Sequence, residues 1–276
     1  MASAYHGYYG QYQYFPLLVF DGETDHLITA VLRPGTVHAG HGGLAILKRI
    51  VAAVRARWPD VTVELRADSG FAIPALYAYC EAEHVTSTIG LATNARLTRA
   101  VAPLLAEAER QSVAEAGAKV RLLGETVYQA ESWPHARRVV MKAEVLPKGT
   151  NTRFVVTTRT DDPTAVYDRY VDRGESENWI KDFKLGCFAD RLSCHRFWAN
   201  QFRLLLHAAA YWLLDTVRRF VVTRQIARMT LETLRLRLLK IGGWVKELPH
   251  RVRLRLASSH PHEDWWHALA ARRHPS

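Results

Sequence analysis

Apolar and polar positions along the chain repeat with two different periods, and together they predict a mixed α/β protein. The predicted elements of the first third are a hairpin of strands 14–20 and 27–33, a helix at 44–58, a strand at 61–68, a helix at 74–83 and a strand at 85–91. In the strand at 61–68 the apolar residues share one face, so Asp68 has the opposite parity at its carboxyl end. Ligand sites in open α/β sheets lie at that end of strands. The alternative is that Asp68 only caps the following turn.

The middle of the chain does not fit one more βα unit. It predicts a helix at 97–116 followed by strands at 120–131, 137–146 and 153–158. We interpret this segment as a β-rich insertion. Trp133 lies at a strand junction within it, where it either stacks on an unpaired DNA base or is a buried structural residue.

The C-terminal part predicts an amphipathic helix at 225–241 and a strand at 251–256. Strict alternation places Arg251, Arg253 and Arg255 on one face of that strand. Such a face either lies along a phosphate backbone or protects a sheet edge, and we favour phosphate contact.

Composition favours a polyanionic partner. The 276 residues carry a net charge of +10, and residues 218–276 alone hold 13 Lys and Arg against 4 Asp and Glu. This balance favours nucleic acid over a membrane. The most apolar run, at 204–214, is too short to span a bilayer and predicts a buried helix.

Three cysteines, Cys80, Cys187 and Cys194, are an odd and sparse set, which indicates a reducing cytoplasm. Cys187, Cys194 and His195 are close in sequence, but their spacing matches no common zinc pattern. We therefore interpret these thiols as buried or idle rather than as metal ligands.

The residues with the most specific spacing are Tyr170, Arg173, Glu177 and Lys184. If the segment is helical from about Gly174, Glu177, Lys181 and Lys184 share one helix face. A surface helix with ordinary Glu–Lys pairs would explain any single pair.

This four-residue frame resembles the Y-R-E-K signature of DDE-type transposases of bacterial insertion sequences. The resemblance extends to RADSGF at 66–71, which is similar to the motif of the second Asp in that family. It also includes the hairpin region at 14–35 and the helical motifs FADRLS, ANQFRL and AAYWLL at 188–193, 199–204 and 209–214.

The resemblance implies an RNase H-like mixed sheet flanked by helices, with the β-rich insertion between the second and third catalytic carboxylates and a basic, helical C-terminal region. Asp68 and Glu177 would be catalytic metal ligands, for two Mg²⁺ (or Mn²⁺) ions in a complete site. Tyr170, Arg173, Lys181 and Lys184 would contact DNA phosphates. The implied partner is double-stranded DNA, as element ends and target, bound by a homo-oligomer in the bacterial cytoplasm at the nucleoid.

The family also has a first catalytic Asp on a strand before the hairpin, whereas no Asp precedes Asp21 here. Asp21 and Asp25 lie in the hairpin turn and are poor substitutes. We therefore expect an N-terminally truncated transposase that is inactive by itself. The alternatives are a non-catalytic DNA-binding remnant that represses related elements, and an RNase H-like nuclease.

The expected organisation has four segments: a partial core at 1–96, the insertion at 97–165, the rest of the core at 166–217 and a basic region at 218–276.

Overall fold

A computed structural model describes residues 3–7, 10–220 and 229–271. The chain divides into two compact units. Residues 1–36 and 175–276 form one, here called the terminal unit, and residues 37–174 form the other, here called the sheet unit. The four predicted segments stay a prediction about how the chain is organised.

The strands of the described residues are β1 Ala4–His6, β2 Gln11–Gln13, β3 Leu17–Phe20, β4 Leu27–Val31, β5 Glu64–Ala67, β6 Thr86–Leu91, β7 Val120–Tyr128, β8 Arg137–Leu146, β9 Gly149–Thr157, β10 Gly243–Leu248 and β11 Arg251–Leu256. The α-helices are α1 Gly43–Arg57, α2 Pro74–Ala82, α3 Ala95–Ala114, α4 Pro163–Val171, α5 Glu175–Cys187, α6 Phe197–Phe220, α7 Leu231–Leu234 and α8 Glu263–Ala271. Short 3-10 turns span Ser69–Phe71 and Asp172–Gly174.

A five-stranded mixed sheet is the centre of the sheet unit. Its order is β5-β6-β9-β8-β7, with β5 and β6 parallel and the other pairs antiparallel. The predicted mixed α/β class is thereby confirmed. The three strands predicted as a β-rich insertion extend the same sheet, because β9 pairs directly with β6.

The two faces of this sheet are covered by different helices. One core contains apolar residues of α1, α2 and α3 together with Ile89, Met141 and Phe154. The other contains Val140 and Val155 together with Val166 and Tyr167 of α4. Neighbouring residues of one strand enter opposite cores, as the two-residue period of a strand requires.

In the terminal unit, β3 and β4 form the predicted antiparallel hairpin, and α6 packs against it. Side chains of α6 also bind backbone groups of this hairpin. The Gln201 oxygen accepts from the Leu32 amide at 2.6 Å, and its nitrogen donates to the Ala30 carbonyl at 3.4 Å. Trp212 Nε1 donates to the Leu27 carbonyl at 2.6 Å. These side chains occupy hydrogen-bonding positions that a neighbouring strand would otherwise use.

A buried ionic cluster joins α5, α6 and α7. The Asp215 carboxylate is 1% exposed and accepts from Arg218 Nε at 3.1 Å and Arg219 Nε at 2.7 Å. Arg218 also donates to Asp182 of α5 at 3.0 Å, and the Leu231 amide donates to Asp182 at 2.7 Å. Burial raises the pKa of the Asp182 carboxyl, although these two donors oppose the shift. Each buried carboxylate therefore has charged or amide partners, as burial of a charge demands.

Two helix predictions need correction. The helix predicted at 225–241 begins outside the described residues, and its described part is α7 followed by a π-helical turn at Arg235–Leu239. The predicted apolar stripe of this helix is Leu231, Leu234, Leu238 and Ile241. The first three are buried, whereas Ile241 lies beyond the helical turn and is half-buried.

The run at 204–214 was predicted as buried, which is wrong for one of its faces. Leu204, Ala208 and Tyr211 are buried, but Leu206 and Leu213 are 55% and 70% exposed, because only one stripe of α6 meets the core. In the part of the chain that the structure describes, no helix combines the length and apolarity needed to cross a bilayer.

Helices α5 and α7 approach closely at Gly186. A Cβ at this position would lie 2.6 Å from the Leu231 Cβ. We predict that Gly186→Ala lowers the free energy of unfolding by about 1–3 kcal/mol, because the added methyl overpacks this contact. The measurement is the urea midpoint.

Gly242→Ala is the matched control, since a Cβ there meets nothing within 4 Å. If Gly186→Ala unfolds at the same or a higher urea concentration than the wild type, the close approach of α5 and α7 is wrong.

Candidate active site

Asp68 lies where β5 ends, and the chain turns immediately after it. Asp68 caps the 3-10 turn Ser69–Phe71, with its Oδ1 accepting from the Gly70 amide at 2.8 Å. Its side chain is exposed. The capping role that the sequence offered as an alternative is therefore confirmed, and it uses one of the two oxygens of an exposed carboxylate.

The loop at residues 36–43, which is rich in glycine, packs against this turn. A Cβ on Gly70 would lie 2.5 Å from the Ala39 Cβ, and a Cβ on Gly40 would lie 3.0 Å from the Gly70 carbonyl oxygen. Glycine at both positions therefore allows the loop and the turn to touch through their backbones. This contact holds the backbone that carries Asp68.

Charged residues on the Asp68 face of β5 anchor α4. Glu64 accepts from Arg169 Nε at 3.0 Å and from Arg159 at 3.1 Å. Arg66 donates to the Arg169 carbonyl at 3.3 Å and lies 3.8 Å from the Asp172 carboxylate. Residues 64, 66 and 68 share one face of the strand, so these contacts hold the end of α4 on the side that Asp68 occupies.

Tyr170 of α4 reaches the same end of the sheet. A Cβ on Gly90 of β6 would lie 2.5 Å from the Tyr170 hydroxyl oxygen, 3.0 Å from the Ser69 amide nitrogen and 3.4 Å from the Asp68 carbonyl carbon. Strand pairing explains this proximity, because Ala67 is opposite Ile89 in the parallel register. The structure thus brings Tyr170 beside Asp68, about a hundred residues away in sequence.

Arg173 completes this group in the sheet unit. Its guanidinium lies 5.6 Å from the centre of the Tyr170 ring, a cation–π distance. The group therefore combines a carboxylate, a phenol and a cation at the carboxyl end of two parallel strands, an arrangement suited to a phosphate ester.

The four-residue frame does not lie on one helix. Tyr170 belongs to α4 and Arg173 to the 3-10 turn, whereas Glu177 and Lys184 belong to α5 of the terminal unit. The predicted helix start near Gly174 is confirmed, because α5 begins at Glu175. Whether Asp68 and Glu177 share a metal stays a prediction, since they belong to different units.

Within the terminal unit, α5 presents Glu177, Lys181 and Lys184 on one exposed face, as their spacing predicts. Phe183, Gly186 and Cys187 are buried on the opposite side. Glu177 lies in the first turn, where the helix dipole stabilises a carboxylate. The helix thus holds a carboxylate and two cations toward solvent on a packed support.

Asp68 and Glu177 supply hard oxygen donors of the kind that Mg²⁺ prefers. Among the residues that the structure describes, no group of three or more His, Cys, Asp or Glu side chains could hold a metal ion. Burial raises the pKa of the Cys187 thiol to about 12, so this thiol stays protonated and is a poor ligand. Cys80 and Cys187 are buried, as the interpretation of the thiols requires, whereas Cys194 is only half-buried.

Comparison with protein families places these features in context. The family described as Transposase DDE domain group 1 matches residues 1–275. The chain belongs to this transposase family. A comparison with curated proteins gives no match. The five-stranded mixed sheet flanked by helices is consistent with the RNase H-like fold of DDE transposases. Membership implies a DNA-binding enzyme of insertion elements that cleaves and transfers DNA with divalent metal ions.

Trp133 of this transposase is a core residue. It is 5% exposed, packs edge-on against Tyr77 and Tyr128 at ring-centre distances of 5.2 and 5.5 Å, and lies 5.0 Å from the Arg137 guanidinium. The alternative of stacking on an unpaired base is therefore wrong here, because protein side chains already cover its ring.

Arg251, Arg253 and Arg255 of the transposase lie on β11, which pairs with β10 in a two-stranded ribbon. Five of the six residues in each strand are exposed. Sequence reasoning missed β10, and with it Trp244 and Lys246, which pair with Arg255 and Arg253. Residues 243–248 do not alternate between apolar and polar, so the available signal was limited to the β-favouring pair Trp244 and Val245 ahead of the turn at Pro249. Sequence reasoning also missed Gly90, although glycine inside a strand often marks a close approach.

We predict that Gly90→Ala destabilises the transposase by about 1–3 kcal/mol, because its Cβ would overlap the Tyr170 hydroxyl. Tyr170→Phe removes that oxygen, so the double variant should recover part of the loss. Urea unfolding of the wild type, both single variants and the double variant gives the coupling energy.

Tyr170→Phe by itself should change stability little and serves as the control. Strictly additive effects in the four proteins would contradict the contact between Tyr170 and Gly90.

Proposed function

We propose that this chain is the catalytic part of an insertion-sequence transposase of the Y-R-E-K group. It would cut DNA and join strands by phosphoryl transfer. The observation that carries the proposal is the contact of Tyr170 with Gly90 beside Asp68. Because of this contact, Tyr170 of the signature and Asp68 of the second motif lie near each other at the end of the sheet.

In this proposal Asp68 and Glu177 would hold Mg²⁺ or Mn²⁺, and a pair of such ions would supply activation of the attacking hydroxyl and stabilisation of the leaving oxygen. Arg173 donates a bidentate fork to a phosphate, while Lys181 and Lys184 act as point charges. Tyr170 donates its hydroxyl near the same phosphate. The hydrogen bonds from Arg169 to Glu64 and from Arg66 to the Arg169 carbonyl hold α4, and so keep Tyr170 and Arg173 in place.

We further propose that the metal site needs a third carboxylate besides Asp68 and Glu177. Strand β5 is the terminal strand of its sheet, with β6 as its partner among the described residues. A strand paired in parallel to the outer edge of β5 would end beside Asp68, and an Asp at its end would complete the ligand set. Without that carboxylate, the chain would bind DNA without cleaving it.

A non-catalytic DNA-binding protein that represses related elements is the second candidate. The exposed basic ribbon favours it, because this surface does not depend on Asp68 or Glu177. Unchanged DNA binding in carboxylate variants that never cleave DNA would support this candidate.

We predict that metal-dependent nicking of a supercoiled plasmid requires both Asp68 and Glu177. The assay uses the chain alone and the chain supplemented with the polypeptide encoded directly upstream, in cis or in trans. Asp68→Asn and Glu177→Gln should each reduce nicking by roughly a hundred-fold or more, because each removes electrostatic stabilisation of the reacting phosphate.

The control is Glu115→Gln, an exposed carboxylate at the end of α3, which should leave nicking unchanged. Nicking that survives both carboxylate variants would contradict the assigned roles. Nicking by the chain alone that needs both residues would support the transposase and contradict the third carboxylate.

Residues 218–276 are proposed to dominate non-specific DNA affinity, because their net charge of 13 − 4 = +9 nearly equals the +10 of the whole chain. The logarithm of the association constant should fall with the logarithm of salt concentration at a slope of roughly −0.9 per phosphate contacted. We predict that replacing Arg251, Arg253 and Arg255 with Ala flattens this slope, measured by fluorescence anisotropy. An unchanged slope would exclude the ribbon from the interface.

A further inference from the structure

The ribbon of β10 and β11 has two chemically different faces. Cross-strand pairs put Trp244, Lys246, Leu248, Arg251, Arg253 and Arg255 on one face. The other face carries Val245, Val252 and Leu254, which are 59%, 65% and 57% exposed, together with Glu247. The first face thus has four cations and no carboxylate, and we call it the basic face.

The dimensions of the ribbon favour duplex DNA as the partner of the basic face. One turn at residues 249–250 joins the two strands, and the major groove of B-DNA, about 12 Å wide, admits a two-stranded ribbon of this kind. Arg251 and Arg255 are four residues apart, about 13 Å along a strand. They therefore reach the two sides of such a groove at once. Between them, Arg253 and its cross-strand neighbour Lys246 lie at the middle of the face.

An aromatic residue fixes one end of the basic face. The Arg255 guanidinium lies 5.5 Å from the Trp244 ring centre, and Trp244 is 54% exposed. The ring limits the rotamers of Arg255, so less side-chain entropy is lost when Arg255 binds an anion.

We propose that the ribbon lies in the major groove of duplex DNA, where Arg253 and Lys246 contact guanine edges and Arg251 and Arg255 contact phosphates on either side. Arginine and lysine bind O6 and N7 of guanine in the major groove, and phosphates attract any cation. Central and outer residues therefore have different roles.

This inference rests on the proposed function, and it adds a base-reading element outside the carboxylate site. An isolated two-stranded ribbon is only marginally stable in water, so seating in a groove would also stabilise the ribbon.

The test compares two duplexes of identical GC-rich sequence, one with guanine and one with 7-deazaguanine, which lacks the N7 acceptor but keeps the phosphates and base pairing. The wild-type transposase should bind the 7-deazaguanine duplex roughly five- to hundred-fold more weakly. Arg253→Gln should lose part of this preference, and the double variant Arg253→Gln with Lys246→Gln should bind both duplexes equally. Arg251→Gln should keep the preference for guanine but show a flatter salt slope.

Leu254→Thr is the matched control, because it changes the opposite face of the same strand with a residue that favours strands. It should behave as the wild type on both duplexes. Far-ultraviolet circular dichroism of each variant checks that the fold is kept.

Equal wild-type binding to both duplexes would overturn the proposal and leave phosphate contact alone. An Arg253→Gln protein that keeps the full preference for guanine would overturn it too. Asp68→Asn separates this inference from the proposed function: loss of nicking in a protein with unchanged guanine preference supports both. Guanine preference in a protein that does not nick DNA even in the supplemented assay would overturn only the catalytic proposal.

Discussion

The two-residue period of β5 is the constraint on which the candidate site depends. It sends Val63, Leu65 and Ala67 into the core beneath α1, α2 and α3. The same period sends residues 64, 66 and 68 to the opposite side. There, Glu64 and Arg66 hold α4, and Asp68 ends the strand beside Tyr170. A shift of one residue in this strand would bury charges and move Asp68 away from the phenol.

A buried ionic cluster, and not strand periodicity, orients the residues of α5 that the proposed chemistry uses. Asp182 and Asp215 share Arg218 inside the terminal unit, and Asp182 also accepts from the backbone of α7. Removing one partner from such a cluster leaves a buried charge without compensation, which costs several kcal/mol. The cluster therefore specifies how α5 is turned. That orientation is what leaves Glu177, Lys181 and Lys184 on the exposed face.

Local periodicity explains which parts of the structure could be predicted. The hairpin, β6, α3 and the three strands β7 to β9 follow from patterns within 5 to 20 residues, and their boundaries agree to within a few residues. The parity of Asp68 also follows from a local pattern. Contacts between distant segments do not. The approach of Tyr170 to Gly90 depends on where α4 packs, and nothing near Gly90 in sequence encodes that.

Two further misses have specific causes. The signature frame is continuous in sequence, but its backbone changes from α4 through a 3-10 turn to α5, and spacing alone does not show such a break. Trp133 follows a turn that is polar in sequence, yet Tyr77 and Tyr128 close over it. A residue next to a loop can thus be part of the core when partners from other elements reach it.

Side chains of helix α6 make the hydrogen bonds to the hairpin backbone that a neighbouring strand would make. This limits which substitutions and insertions α6 can accept. The carboxamide of Gln201 is both donor and acceptor toward β4 and the residue after it, as a peptide group would be. Glutamate or methionine would match its size but lack the donor, and asparagine would be one methylene shorter. Position 201 should therefore accept fewer amino acids than its half-buried location suggests. Insertions that change the phase of α6 between Gln201 and Trp212 should be excluded altogether, because one residue rotates the indole donor by about 100° around the helix.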